Sequence, residues 1–213
     1  MSDLPEGVRL HRRWLEPDAQ AEIVAACAEV LAAAPPFRPT MPGSGRPFSV
    51  RMSNAGPLGW VSDRRGYRYA RRHPETGQPW PAIPQAVLAV WGRLAAYSDP
   101  PEACLINLYD ATARMGLHQD RDEAALDAPV VSISLGASAR FRHGGTSRAG
   151  PTRSLILDSG DVVVLGGPAR LSFHGIDRVF AGSSPLADLP LGVERINLTL
   201  RRVTRPAAPP TVD

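Results

Sequence analysis

CLINLY (Cys104–Tyr109), PVVSISLG (Pro129–Gly136), ARFRHG (Ala139–Gly144), SLILD (Ser154–Asp158), DVVVLG (Asp161–Gly166), RLSFHG (Arg170–Gly175) and RINLTLRRV (Arg195–Val203) follow one another through the second half of the chain. Each run is short and rich in β-branched or aromatic residues, and Gly, Pro, Ser and Asp separate one from the next, which is the pattern of strands. No helical period intervenes, so a parallel α/β sheet is excluded and a sandwich or barrel is expected. Upstream the period is 3.6. Glu16–Ala34 (EPDAQAEIVAACAEVLAAA) reads as one helix stopped by Pro35-Pro36, and Gln85–Tyr97 (QAVLAVWGRLAAY) as a second. The stretch Pro35–Pro84 between them reads as irregular, yet Phe48, Trp60, Tyr67, Tyr69 and Trp80 make it too aromatic for a disordered linker.

The expected fold is therefore mostly β with flanking helices (α+β): a double-stranded β-helix, or jelly roll, behind two supporting helices. Its parts are a helical extension over 1–45, a lid and supporting helix over 46–100, the jelly-roll core over 101–204 and a disordered tail over 205–213, all in one compact domain.

Composition narrows the chemistry. All 24 basic residues are arginine. Without lysine there is no Schiff base, no pyridoxal phosphate enzyme and no Walker phosphate loop. Cys27 and Cys104 are the two cysteines, too few for a disulfide framework or a thiolate zinc cage, so a metal must be held by His and carboxylates. The acidic start lacks the apolar stretch of a signal peptide, and no long apolar run follows; a cytoplasmic protein without membrane contact is expected. The net charge of +3 is uneven: Arg46, Arg51, Arg64, Arg65, Arg68, Arg71 and Arg72 stand against the single acid Asp63, so this segment carries 7 − 1 = +6 and the remainder 3 − 6 = −3. Such a zone suits a polyanion, although an Arg-rich solvated surface would read the same way.

Three side chains and one strand carry the chemistry. In His118-Gln119-Asp120 an imidazole and a carboxylate are two apart in an extended segment and point to one side. His174, closing the strand-like RLSF, offers a second imidazole. Two His and one carboxylate leave adjacent coordination positions open, as non-haem Fe(II) needs to bind a co-substrate and O2 together; zinc hydrolysis is the competing use. In the last strand, alternation sets Arg195, Asn197, Thr199 and Arg201 on one face and Ile196, Leu198 and Leu200 on the other. An edge strand with a wet outer face would show the same alternation. But if the polar face points into the barrel, two buried guanidiniums require an anion, and a dicarboxylate such as 2-oxoglutarate meets both.

NLYDATARMGLHQDRDE (107–123), GDVVVLGGPARLSFHG (160–175) and RINLTLR (195–201) together resemble the AlkB group of Fe(II)- and 2-oxoglutarate-dependent dioxygenases, which repair alkylated nucleic acid bases. The resemblance extends from about Pro47 to Val203, since FSVRMSNAGPLGW, GYRY and PWPAIP are similar to the group's base-recognition lid. It implies that His118, Asp120 and His174 bind Fe(II), and that Arg195, Asn197 and Arg201, helped by Asn107 and Tyr109, hold 2-oxoglutarate, with the assignment of each arginine to a carboxylate left open. Trp60 matches the residue that stacks on the damaged base, Tyr67 and Tyr69 match lid residues, Asp122 the acid facing the base edge, and Arg148 a substrate-contacting position.

The implied reaction is demethylation of 1-methyladenine or 3-methylcytosine by O2 and 2-oxoglutarate, releasing formaldehyde, succinate and CO2. The implied partner is alkylated DNA, single-stranded in preference, with duplex DNA or RNA as alternatives, and a monomer is expected. N-alkylation removes part of the pairing energy, so the damaged base is cheaper to extrude than a normal one. Two rivals remain at this level: the same oxygenase chemistry on RNA, protein or lipid, and a non-catalytic nucleic-acid-binding jelly roll. The second leaves inward Arg195 and Arg201 unexplained.

Overall fold

A computed structural model describes residues 4–205; the expected disordered tail lies, from residue 206 on, outside the described residues. In chain order the first half comprises β1 (Val8–His11), α1 (Pro17–Ala33), β2 (Arg51–Ala55), β3 (Gly59–Asp63), β4 (Gly66–Ala70) and α2 (Gln85–Leu94). The second half is all β: β5 (Ala103–Tyr109), β6 (Met115–His118), β7 (Val130–Gly136), β8 (Ala139–Gly144), β9 (Thr152–Leu157), β10 (Val162–Leu165), β11 (His174–Val179) and β12 (Arg195–Arg201). Antiparallel pairing builds a larger sheet in the order β1-β10-β7-β12-β5-β2, a smaller one in the order β6-β11-β8-β9, and the separate hairpin β3-β4. This is the jelly-roll architecture.

β12 is no edge strand. It pairs along its whole length with β5 on one side and β7 on the other. Its apolar residues Ile196, Leu198 and Leu200 pack with Ile106, Leu108 and Ile133 under α1 and α2, where Ile23, Val30, Val87 and Trp91 meet them. Each such side chain removed from water contributes about 1.5–3 kcal/mol. The opposite face of the same sheet, through Leu105, Val130, Val163 and Leu165, looks across to Phe141, Leu157 and Ile176 of the smaller sheet. A strand covered on both faces normally carries apolar residues on both. Here the inner face carries Arg195, Asn197, Thr199 and Arg201 instead.

α1 starts with Pro17 in its first turn and Asp18 near its positive end, and its buried Gln20, Ile23, Cys27, Val30 and Leu31 form one stripe. α2 buries Val87, Val90 and Trp91 and ends at Leu94, short of Tyr97, because Ala96 takes a left-handed turn (φ 51°).

Two expectations need correction. First, the stretch from Pro35 to Pro84 is not irregular throughout, for it holds three strands. β2 joins the edge of the larger sheet with buried polar residues: Ser53 donates to Ala34 O (2.7 Å), and Asn54 brackets Trp60 through its backbone N and O. β3 and β4 turn through Arg64-Arg65, where Asp63 accepts from Arg65 N (2.8 Å) and pairs with Arg68 (2.7 Å). Second, Arg170–Phe173 is a turn, and His174 opens β11 rather than closing a strand. Gly167–Ala169 forms a short 3-10 turn, Ser172 N bonds Ala169 O, and the Arg170 side chain is drawn inward onto Ala128 O. Gly175 then lets β11 approach β6, since a Cβ there would lie 2.5 Å from Met115 O. β1, absent from the sequence reading, pairs with β10.

Candidate active site

The β6–β11 pairing sets His118 directly opposite His174, so both imidazoles leave the same face, with ring centroids 4.5 Å apart. Asp120 follows β6 by two residues. Its Oδ2 lies 3.6 Å from His174 Nε2 and its Oδ1 3.9 Å from His118 Nε2. The His118 Nδ1 faces Gly116 O (2.9 Å) and the His174 Nδ1 faces Ser172 O (3.0 Å). A carbonyl only accepts, so each Nδ1 carries the proton and each Nε2 offers its lone pair toward Asp120. One ligand atom from each of the three lies within 4.8 Å of the others.

Protonation is already set for a metal. Burial raises the Asp120 pKa, but the Arg201 guanidinium, and after it His174 and His118, outweigh burial and hold the carboxyl well below the usual range. Burial, then the neighbouring His118, pushes His174 down to about 4. At neutral pH the site presents a carboxylate and a neutral buried imidazole, the forms a divalent ion binds.

These residues open onto a cavity of about 590 Å³, a size for a small-molecule ligand together with part of a larger one. Asn107, Tyr109, Arg195, Asn197 and Arg201 line the same cavity. Arg195 is wholly buried. It donates to Ser134 Oγ (2.8 Å) and Ala137 O (3.2 Å), its Nε has no hydrogen-bond partner, and among the described residues no carboxylate lies within ion-pair distance. Burial lowers its pKa to about 10. Arg201 differs: its Nη2 donates to Asp120 Oδ1 (2.6 Å) and its Nε lies 3.6 Å from Glu123 Oε1. Asn197 stands opposite Asn107 in the register, accepts from it (3.3 Å), and donates to Ser132 Oγ (2.8 Å). Burial pushes the Tyr109 phenol up to about 12, so it remains a donor.

Of the buried polar atoms without a hydrogen-bond partner among the described residues, Asn107 Oδ1, Asp120 Oδ2, Arg195 Nε and Arg201 Nε all belong to residues lining this one cavity. Buried polar groups are otherwise almost always paired. An ion on Asp120 and an anionic chelator reaching the arginines would satisfy them, so the residues fit both an Fe(II) ion and a dicarboxylate.

The mouth is aromatic and acidic. Trp60 donates its Nε1–H to Asp122 Oδ2 (2.9 Å), stacks on Tyr67 (5.5 Å, 21°) and meets Phe48 edge-on (6.2 Å). Trp60, Tyr67, Asp122 and Arg148 all line the cavity; Arg148 donates to Leu117 O (3.2 Å) and lies over the Phe173 ring. Tyr69 stands apart. It does not line the cavity, and its hydroxyl donates to Glu123. Glu123 and Arg170 were not singled out from sequence. They form a buried ion pair (3.0 Å) behind Asp120, and the one available hint was an acid directly after Asp122.

The chain matches the 2OG-Fe(II) oxygenase superfamily over residues 7–201. It is 56% identical over 190 residues to the alpha-ketoglutarate-dependent dioxygenase AlkB homolog of Caulobacter vibrioides, covering 88% of this chain and 84% of that protein. It is 46% identical over 177 residues to the alpha-ketoglutarate-dependent dioxygenase AlkB of Escherichia coli, covering 81% of this chain and 80% of that protein. The solved structure of OsALKBH1 superposes with a TM-score of 0.75 at 28% identity, covering 93% of this chain and 98% of that one. Metal triad, buried arginine strand and sequence kinship agree: the chain belongs to the AlkB family of 2OG-Fe(II) oxygenases.

Proposed function

We propose that this protein is a DNA oxidative demethylase that removes methyl groups from N-alkylated bases such as 1-methyladenine and 3-methylcytosine, using Fe(II), 2-oxoglutarate and O2. The observation that carries this reading is Arg195: a wholly buried cation with no counter-ion among the described residues, lining the same cavity as the His118–Asp120–His174 cluster. A buried guanidinium is retained at such cost where an anion completes it. When bound, the iron with 2-oxoglutarate and O2 supplies the oxidant that hydroxylates the N-methyl carbon, the oxidation being matched by decarboxylation of 2-oxoglutarate to succinate and CO2 and the adduct falling apart to formaldehyde and the free base.

The chain's own part is to bind, orient and exclude water. His118, Asp120 and His174 hold the metal. Arg195, with Tyr109 and Ser134 beside it, takes the far carboxylate of 2-oxoglutarate, because no acid among the described residues pairs with it; Arg201, set against Asp120, takes the near one. Asn107 and Asn197 floor the cosubstrate pocket. Trp60, held in plane by Asp122, offers a ring face to the extruded base, and Asp122 faces a base made cationic by its methyl group. Tyr67 and Arg148 border the same mouth. The exposed Arg46, Arg64, Arg65, Arg71 and Arg72 follow the flanking phosphates.

Single-stranded DNA is the preferred partner on this reading, because the base is extruded without breaking a second strand. We read the protein as acting as a monomer, and among the described residues no helix is long and apolar enough to cross a membrane. We place the enzyme in the cytoplasm with its DNA.

The test is anaerobic loading with Fe(II) and 2-oxoglutarate, then oxygen and a 3-methylcytosine oligonucleotide. Formaldehyde and succinate appear in equal amounts if the reading holds; succinate without formaldehyde, from single-stranded, duplex and RNA oligonucleotides alike, overturns the nucleic-acid substrate.

A further inference from the structure

Behind the metal ligands lies a buried chain of contacts that the iron and 2-oxoglutarate do not themselves require. Glu123 is 6% exposed and faces three groups: Arg170 Nη2 at 3.0 Å, Arg201 Nε at 3.6 Å, and the hydroxyl of Tyr69. Arg170 in turn donates to the backbone oxygen of Asp120 and to Ala128 O, and Arg201 holds Asp120 Oδ1. Both protein-side handles of Asp120, its carbonyl and one carboxylate oxygen, are thus gripped by guanidiniums that share Glu123. The other carboxylate oxygen, Oδ2, has no hydrogen-bond partner among the described residues and faces His174 Nε2 at 3.6 Å.

Tyr69 sits on β4, in the hairpin whose preceding strand carries Trp60 opposite it in the register. The Tyr69 oxygen also lies beside the Arg201 guanidinium. Burial, together with Glu123, raises its pKa well above the ordinary phenol value, so it stays a donor at any working pH. It touches the network behind the metal and does not line the cavity in front of it.

We propose that Tyr69 is a positioning residue and not a base contact: through Glu123 it ties the β3-β4 hairpin to Arg201, and so fixes which oxygen of Asp120 faces the iron. This rests on His118, Asp120 and His174 being the iron ligands. It differs from the base-recognition lid role that family resemblance implies for Tyr69. It also makes the hairpin one mechanical unit with the metal site, because Trp60 is anchored to Asp122 and Tyr69 to Glu123, two and three residues beyond Asp120. Partners behind a metal ligand tune its affinity by roughly 10–100-fold, and Tyr69 acts one step further out, so a smaller effect is expected.

The experiment compares wild type, Tyr69→Phe, Glu123→Gln and Tyr67→Phe by anaerobic titration with Co(II) in the presence of 2-oxoglutarate, read from the visible spectrum of the bound cobalt. KM values for 2-oxoglutarate and for the oligonucleotide are measured in parallel. Tyr69→Phe keeps the ring and loses only the hydroxyl. It is expected to weaken Co(II) binding by about three- to tenfold, shift the cobalt spectrum and raise KM for 2-oxoglutarate, with KM for the oligonucleotide within about twofold of wild type. Glu123→Gln should shift the spectrum in the same sense and further, whereas Tyr67→Phe, at the cavity mouth, should raise the oligonucleotide KM alone. Tyr69→Phe with a wild-type cobalt spectrum and affinity, but a raised oligonucleotide KM, would overturn the tether and restore the base-contact role. Absence of cobalt binding in wild type would instead overturn the metal reading, and the tether with it.

Discussion

Replacing Arg195 with methionine should separate folding from cosubstrate binding with opposite signs. The guanidinium is wholly buried, has no acid within ion-pair distance among the described residues, and has its pKa depressed by burial to about 10. Against its ordinary value that depression corresponds to about 3 kcal/mol of lost preference for the charged form, which the fold bears until an anion arrives. Removing the charge relieves this cost but leaves Ser134 Oγ and Ala137 O without their donor, at about 1–3 kcal/mol for such groups. The two contributions oppose each other, so the ligand-free Arg195→Met protein should lie within about 1 kcal/mol of wild type, roughly 2–4 °C in Tm. Cosubstrate binding should fall steeply. Truncating one partner of a buried charge pair costs about 2–5 kcal/mol, or roughly 30- to several-thousand-fold in affinity.

Thermal unfolding with Mn(II), with and without 2-oxoglutarate, reads both effects. At about 100 times its Kd, 2-oxoglutarate should stabilise the wild type by about 2.7 kcal/mol, some 5–11 °C, and Arg195→Met by no more than about 1 kcal/mol, under about 4 °C, at the same concentration. A ligand-free Tm more than about 10 °C below wild type, or a 2-oxoglutarate shift as large in Arg195→Met as in wild type, would contradict this.

Other expectations follow from the same geometry. His118→Ala and Asp120→Ala should both abolish turnover, yet only the second should destabilise the fold strongly, by about 3–5 kcal/mol, because it strips buried Arg201 of its closest partner while His118 is 38% exposed in its side chain; calorimetry beside the activity assay separates them. Gly175→Ala should cost about 1–3 kcal/mol by urea unfolding and weaken metal binding, since its Cβ would lie 2.5 Å from Met115 O and displace β11 where it presents His174. Glu102 accepts hydrogen bonds from Val203 N (3.0 Å) and Thr204 N (2.6 Å); burial raises its pKa, but the Thr204 and Val203 bonds outweigh burial and lower it. A depressed carboxylate contributes stability above its unfolded pKa and loses it as pH falls through the folded value, so Glu102→Gln should cost about 1 kcal/mol at pH 7 after solvent screening, and the gap to wild type should close as pH falls below about 4.

The parts that were legible in the sequence are those where chemistry and strand period coincide. Alternation along β12 separates Arg195, Asn197, Thr199 and Arg201 from Ile196, Leu198 and Leu200 whatever the rest of the chain does, and an inward row with two arginines and no acid already asks for an anion. His118 and Asp120 are close in sequence. Their meeting with His174 across β6 and β11 is a tertiary fact, but the rarity of the combined pattern gives it away.

What escaped detection depends on partners distant in sequence. β2 buries Ser53 and Asn54, whose acceptors and donors lie on Ala34 and Trp60, so no apolar run marks the strand. RLSF has a strand's composition, yet Arg170 is pulled inward by Ala128, Asp120 and Glu123, and turn hydrogen bonds replace a ladder. Tyr69 follows Tyr67 by two residues on β4, on the same face, and reads as its equal; the hydroxyl's partner on Glu123, 54 residues away, is what separates their roles.

One cavity should hold a divalent ion and a five-carbon diacid side by side. A crystal structure of the anaerobic protein with Mn(II) and 2-oxoglutarate tests it directly. The ion should be bonded to His118 Nε2, His174 Nε2 and an Asp120 carboxylate oxygen, with the far carboxylate of 2-oxoglutarate on Arg195. Metal bound elsewhere, or a diacid that leaves Arg195 without an anion, would contradict it.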